Sequence, residues 1–410
     1  MLTYNDLVYA GISNVIGAGI FVIISFVHKF AGSHTWLSVL LSGLFMSIFA
    51  GHYAKLPEII KKDKDIHLEY DIIKRISSDK VASGFILMAI IGLIFSSYLV
   101  SRSFGNYLSN YLPIINNRIG ALIIVGICFL LNKSGVDYVA KWNNVILLFG
   151  LAILILLIVI GFYRMIVDSD GTTFFKQSIN PSSIKDNFFN IIKGAYMIIF
   201  SYVGFELLVK LNADTYNPQK DIPKAIRTTI IFTIIIYSLL GYVYSYAMFK
   251  LENKETKTSQ DKNDINDKND KITINKIKVG ASNFVQSTKI IIEDTEHTEA
   301  PLTFAMEILT KTKKINHLVS FGGMIFTATT TLLMMLSASK LLAGQIDLST
   351  NNKIKKMNPL NIVLYGVLIL SASNINIENS TIIANICIIL LMIVVSYAVI
   401  KINTKNTNNI

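Results

Sequence analysis

Gly11-Ile12-Ser13-Asn14-Val15-Ile16-Gly17-Ala18-Gly19-Ile20-Phe21 lies in the middle of the first long apolar window, Leu7–Val27. Two glycines separated by one small residue weaken a helix, each costing about 1 kcal/mol relative to alanine. An unwound helix at that depth frees backbone groups. Freed N–H groups, backed by the positive end of the following half-helix, suit a carboxylate. Freed carbonyls suit an ammonium group. The competing reading is close helix packing, because small residues are common where membrane helices touch. One glycine pair does not decide between the two.

A second interruption sits downstream at Phe200-Ser201-Tyr202-Val203-Gly204-Phe205-Glu206, with a glycine at mid-span beside aromatics and a carboxylate. Outward from these two segments, apolar windows read as spans over Leu7–Val27, Trp36–Leu56, Gly84–Leu108, Ile119–Leu131 and Val145–Phe162, then Phe188–Val209, Thr228–Phe249, Leu318–Leu342, Leu360–Ala372 and Thr381–Ile402. The interruptions fall in the first and the sixth. Interrupted helices at corresponding positions of two halves are the best sequence pointer to a transporter site. Five spans per half is odd, so the halves insert with opposite topology. The expected fold class is an all-α polytopic membrane protein of about ten transmembrane helices. It is a 5+5 inverted repeat with broken helices 1 and 6, the first repeat covering residues 1–163 and the second residues 188–402.

Composition agrees. Of 410 residues, 52% are apolar and 16% charged, where a soluble domain carries about 25% charged residues. Mean hydropathy is +0.51. A soluble globular protein, a disordered chain and a fibre are all excluded. The first apolar segment is itself a span, so no cleaved secretory signal is expected. Cys128 and Cys387 are too few for a disulfide framework or a zinc site. With the N-terminus on the cytoplasmic side, the inner segments hold 19 Lys and Arg, the short outer ones 7, and the long stretch Lys250–Lys314 the remaining 12. Long loops cross regardless of charge, so the bias supports cytoplasmic N- and C-termini. The formal charge of +11 thus has an orienting use, and no nucleic-acid motif stands beside it.

Lys61–Lys80 is charged, with Ile66, Ile72, Ile73 and Ile76 at partly helical spacing, and reads as an amphipathic helix on the inner membrane surface, against the alternative of a solvated linker. Residues 251–280 read as a low-complexity loop insertion on the extracytoplasmic side, rich in Asn, Asp, Lys and Thr. Glu206 is the only acidic residue within a span. A carboxylate there is costly, by about 2.5–3.5 kcal/mol, and commonly marks a pathway or proton relay. The alternative is a structural carboxylate bonded to neighbouring backbone. Arg102 and Lys340 lie near span ends, where long side chains reach the interface.

These segments resemble the amino acid–polyamine–organocation permeases. Val15–Phe21 is similar to that family's first-helix signature, and Phe200–Glu206 to its sixth-helix signature. Asn217-Pro218-Gln219-Lys220-Asp221-Ile222-Pro223-Lys224-Ala225-Ile226 is similar to its characteristic cytoplasmic loop. Weaker likenesses occur at Asn143-Asn144-Val145, Ala300-Pro301-Leu302 and Ala338-Ser339-Lys340-Leu341-Leu342. The resemblance implies a LeuT-type fold and secondary active transport of amino acids by alternating access, proton-coupled or by exchange. It implies a substrate site of Val15, Ile16, Gly17, Ala18, Gly19, Ser97, Phe200, Ser201 and Val203. The N–H groups of Gly17, Ala18 and Gly19 would take the carboxylate, and the carbonyls of Val15, Phe200 and Val203 the amine. Phe200 would gate the site, and Glu206 would serve proton coupling. Ser97 would face the substrate side chain or make an interhelical hydrogen bond. Thr327, Thr329, Thr330 and Thr331 would touch the site or bond backbone carbonyls. Many relatives have twelve spans, whereas ten are read here. Some carry a lysine in the fifth span where Gly150 stands, which leaves Glu206 to carry any proton coupling.

The alternative from another class is a non-transporting amino-acid sensor or accessory membrane protein. An enzyme is not expected, since His28, His34, His52, His67, His297 and His317 are scattered and form no metal-ligand pattern. No selectivity-filter-like loop points to a channel. No cofactor or metal is expected. The implied partners are an amino acid substrate, protons and membrane lipid.

Overall fold

The computed structural model describes residues 1–16, 19–59, 68–134, 137–212, 215–266, 300–310, 312–373 and 375–407. Among these the chain is helical, with no strand beyond a single bridge between Leu2 and Thr215. The helices are α1 Tyr4–Val15, α2 Gly19–Ala31, α3 Thr35–Tyr53, α4 Leu56–Ile59, α5 Leu68–Lys74, α6 Asp79–Tyr111, α7 Asn117–Ser134, α8 Asp137–Val167, α9 Gly171–Ser178 and α10 Pro181–Asp186. There follow α11 Phe188–Ile198, α12 Leu207–Lys210, α13 Pro218–Asn266, α14 Pro301–Thr310, α15 Lys313–Asp347, α16 Asn352–Lys355, α17 Pro359–Ala372 and α18 Ile377–Thr407.

Seven of the apolar stretches are long enough to cross a bilayer, and α14 and α17 are shorter apolar helices. Leu44, Phe45 and Ile48 of α3 and Leu148, Ile155 and Val159 of α8 are exposed. Hydrocarbon is the solvent that tolerates such faces. The protein is an all-helical, integral multi-pass membrane protein.

Local sequence explains where the helices start. Thr3 and Asp6 form a capping box, the Thr3 N–H donating to Asp6 Oδ2 at 2.8 Å, so α1 begins before the apolar window. Asn358 accepts from the N–H groups of Leu360 and Asn361 ahead of α17, with Pro359 in its first turn. Several helices outrun their apolar windows. α8 starts at Asp137 rather than Val145, and α13 runs from Pro218 to Asn266 around Thr228–Phe249. Extending an existing helix avoids the nucleation cost, and Lys, Glu and Gln are good helix formers. Residues 251–266, expected as part of a loop insertion, therefore continue α13. Residues 267–280 of that stretch lie outside the described residues.

The expected surface helix is also corrected. Residues 60–67 lie outside the described residues, and α5 buries Leu68, Glu69, Tyr70, Ile72 and Ile73. It packs on α6 and α18. Its isoleucines are covered by protein, which removes the apolar face a lipid-surface helix would need.

Three contacts join segments that lie far apart in the sequence. The Tyr216 N–H donates to the Leu2 carbonyl at 3.1 Å, joining the N-terminus to the segment after the sixth span. Lys29, after the first span, pairs with Glu378, before the tenth, at 4.0 Å. Asp168, after the fifth, pairs with Lys250, at the end of the seventh.

Candidate functional site

Both anticipated interruptions are present. α1 stops at Val15 and α2 starts at Gly19, with the Ile16 N–H still bonded to the Ile12 carbonyl at 2.8 Å. Gly17 and Ala18 lie outside the described residues. In the sixth span α11 gives way to a 3-10 turn, Ile199–Tyr202, then to extended Val203 (φ −71°, ψ 144°) and to Gly204 at φ +131°. That positive φ lies where L side chains are strained, so glycine is the residue that permits the turn.

The two breaks touch each other. A Cβ on Gly19 would lie 2.1 Å from Ser201 Cα. Asn14 donates through Nδ2 to the Gly204 carbonyl at 2.6 Å. Ile16, Phe200, Ser201 and Val203 are all buried around this contact. The Ser201 hydroxyl has no hydrogen-bond partner among the described residues. The Phe200 carbonyl accepts the Val203 N–H at 3.2 Å. The Val15 carbonyl accepts the Tyr237 hydroxyl of α13 at 2.9 Å. A carbonyl has two lone pairs, so both can take a second donor.

Glu206 accepts the Gly204 N–H at 2.7 Å. That is the bond of the structural alternative, and it fixes the carboxylate against the turn. Its charge is not alone. Tyr53, at the end of α3, is fully buried with no hydrogen-bond partner for its hydroxyl among the described residues, and both Glu206 and Glu69 act on it electrostatically. Glu69 is 1% exposed. It arrives on α5 from outside any span, so counting acids within apolar windows missed it.

Ser97 is fully buried and donates to the Leu93 carbonyl of its own helix at 2.8 Å. Tyr107, further along α6, donates to the Phe21 carbonyl at 3.0 Å, which shows the face that α6 turns to the first span. At helical spacing Ser96, Val100 and Ser103 share that face, and Ser97 stands to one side. In α15, Thr327, Thr329 and Thr331 bond carbonyls one turn back. Thr330, 1% exposed, has a hydroxyl without a partner among the described residues. Phe326 packs on Phe21, ring centres 5.2 Å apart, and on Gly150, where a Cβ would meet its ring at 2.2 Å. Among the described residues no three His, Cys, Asp or Glu side chains gather as a metal site would require.

The amino acid permease family profile matches residues 2–261. This chain belongs to the amino acid permease family. A methylthioribose transporter of Bacillus subtilis is similar at 27% identity, over 58% of this chain and 53% of that protein. Cationic amino acid transporter 1 of Arabidopsis thaliana is 24% identical over 58% of this chain and 41% of its own length. An aromatic amino acid permease of Lactococcus lactis is 23% identical over 58% and 53%. The match thus spans about half the length of these curated relatives. A manganese transporter of Eremococcus coleocola overlays 97% of this chain and 95% of its own at 12% identity, with a TM-score of 0.42. That overlay is too loose to bear on function. The family match covers both breaks and the segment between them.

Proposed function

We propose that this permease is a secondary active transporter that moves amino acids by alternating access, driven by protons or by exchange. The observation that carries the reading is the contact between the two breaks. Gly19, at the positive end of the half-helix α2, abuts Ser201 in the turn of the sixth span, and a carboxylate suits that position. Among the described residues one donor meets each of the Val15 and Phe200 carbonyls, which leaves each a lone pair for an ammonium group. An α-amino acid carries both charges two bonds apart. Phe200 closes the site, and Ser201 offers it a hydroxyl.

In this reading residues 1–163 and 188–402 are inverted repeats, the chain crosses the membrane ten times, and both termini face the cytoplasm. Glu206 holds the turn through Gly204 and takes up the coupling proton. Gly17, Ala18 and Gly19 complete the carboxylate site. Ser97 stands beside the path of the substrate side chain.

The test is uptake into liposomes holding the purified protein, with radiolabelled amino acids, with and without an inward proton gradient. Uptake of a subset that rises with the gradient supports a proton-coupled permease. Uptake only into preloaded vesicles supports an exchanger. Folded protein that amino acids stabilise against heat but do not cross would instead be a sensor, and would overturn the transport reading.

A further inference from the structure

We propose that Tyr237 is a positioning residue for the substrate's ammonium group, an inference that rests on the reading of the breaks as an amino acid site. α1 ends at Val15, and a carbonyl at the end of a helix has no donor four residues on. Tyr237 supplies one from α13, its hydroxyl 2.9 Å from the Val15 oxygen and its side chain fully buried. The bond occupies one lone pair and fixes the direction of the other. An ammonium N–H then meets an oriented acceptor rather than a swinging one.

The hydroxyl is itself held. The Tyr237 ring packs on Tyr202 with centres 5.4 Å apart and planes at 64°. Tyr202 belongs to the 3-10 turn of the sixth-span break, and its hydroxyl donates to the Val39 carbonyl at 2.9 Å. The turn that closes one break thus steadies the residue that caps the other. Val15 and Tyr237 lie 222 residues apart, so no local motif announces the pairing.

The experiment compares Tyr237→Phe with the wild type in proteoliposomes, using a 14C-labelled mixture of the protein amino acids. Two competitors are used: the unlabelled amino acid that inhibits wild-type uptake most strongly, and the same acid lacking its α-amino group. Loss of one neutral hydrogen bond should weaken inhibition by the amino acid about five-fold. The amine-free acid should inhibit the variant as it inhibits the wild type. Tyr98→Phe is the control, because Tyr98 is also buried and its hydroxyl donates to the Ile375 carbonyl, at 3.0 Å, rather than to a residue of either break. It should leave both constants unchanged. Should Tyr237→Phe fail to fold, Tyr202→Phe should show the same selective loss at smaller size. Equal weakening of both competitors, or weakening of neither, overturns the role of Tyr237 and leaves the transport reading standing. A wild-type protein that takes up no amino acid and is stabilised by none overturns both.

Discussion

Gly19 and Ser201 are in contact across the two broken spans. A Cβ on Gly19 would stand 2.1 Å from Ser201 Cα and 2.2 Å from its Oγ. The obstruction is backbone as well as side chain, so no rotamer change relieves it. Gly19→Val should therefore separate the breaks and reduce initial uptake at least about ten-fold, since overpacking costs about 1–3 kcal/mol. Gly51, where an added Cβ meets nothing within 4 Å, is the comparison. Gly51→Ala should transport as the wild type does, measured in the same vesicles.

The turn of the sixth span depends on Gly204. Its φ is +131°, and a Cβ there would lie 2.9 Å from the Asn14 carbonyl. Gly204→Ala should cost about 1–3 kcal/mol, seen as a lower thermal midpoint in detergent, with a fall in uptake. Asn14→Ala removes the 2.6 Å bond to the Gly204 carbonyl and should lower uptake with a smaller loss of stability, about 1 kcal/mol.

Glu206→Gln separates two roles of one side chain. The amide oxygen still accepts the Gly204 N–H, bonded at 2.7 Å in the wild type, so the turn and exchange into preloaded vesicles should persist. The charge is gone, so stimulation by an inward proton gradient should disappear. Retained stimulation would assign the coupling elsewhere, with Glu69 the next residue to substitute.

Gly150 and Phe326 fit as a small and a large residue, and the Phe326 ring fills the space a side chain at 150 would need. Gly150→Ala should destabilise the protein by about 1–3 kcal/mol. Adding Phe326→Leu should recover part of that loss. A double-mutant cycle on thermal midpoints measures the coupling.

Asp168 joins the end of the fifth span to the end of the seventh. Burial raises its pKa, but the ammonium of Lys250 outweighs burial, and with Arg164 and the Tyr246 hydroxyl it holds the carboxyl below its ordinary value of 3.8. A carboxyl with a lowered folded pKa adds stability above the ordinary range, and loses it as pH falls through the folded value. Asp168→Asn should cost about 1 kcal/mol at neutral pH. That difference should vanish as the pH is taken well below 4, as thermal midpoints against pH would show.

Much of this was legible along the chain. Apolar windows located the spans because hydrocarbon imposes a length on them, and glycines located both interruptions because they weaken helices wherever they fall. What stayed hidden was contributed across the fold. Tyr237 reaches Val15 from another helix, and Glu69 acts electrostatically on Tyr53 from a short helix beyond the windows. The isoleucines of residues 61–80 read as the apolar face of a membrane-surface helix, and Ile72 and Ile73 are instead covered by protein, because periodicity reports an apolar face and not what covers it. Ser97 shows the same limit, since its spacing places it on the helix but the Tyr107 bond shows which face meets the first span.

The most direct measurement is counterflow into vesicles preloaded with one amino acid, wild type against Gly19→Val, with both proteins shown to be folded by thermal melting. The account predicts rapid entry of labelled amino acid with the wild type and near-background entry with the variant. Equal entry through both would contradict a substrate site built where the two broken helices meet.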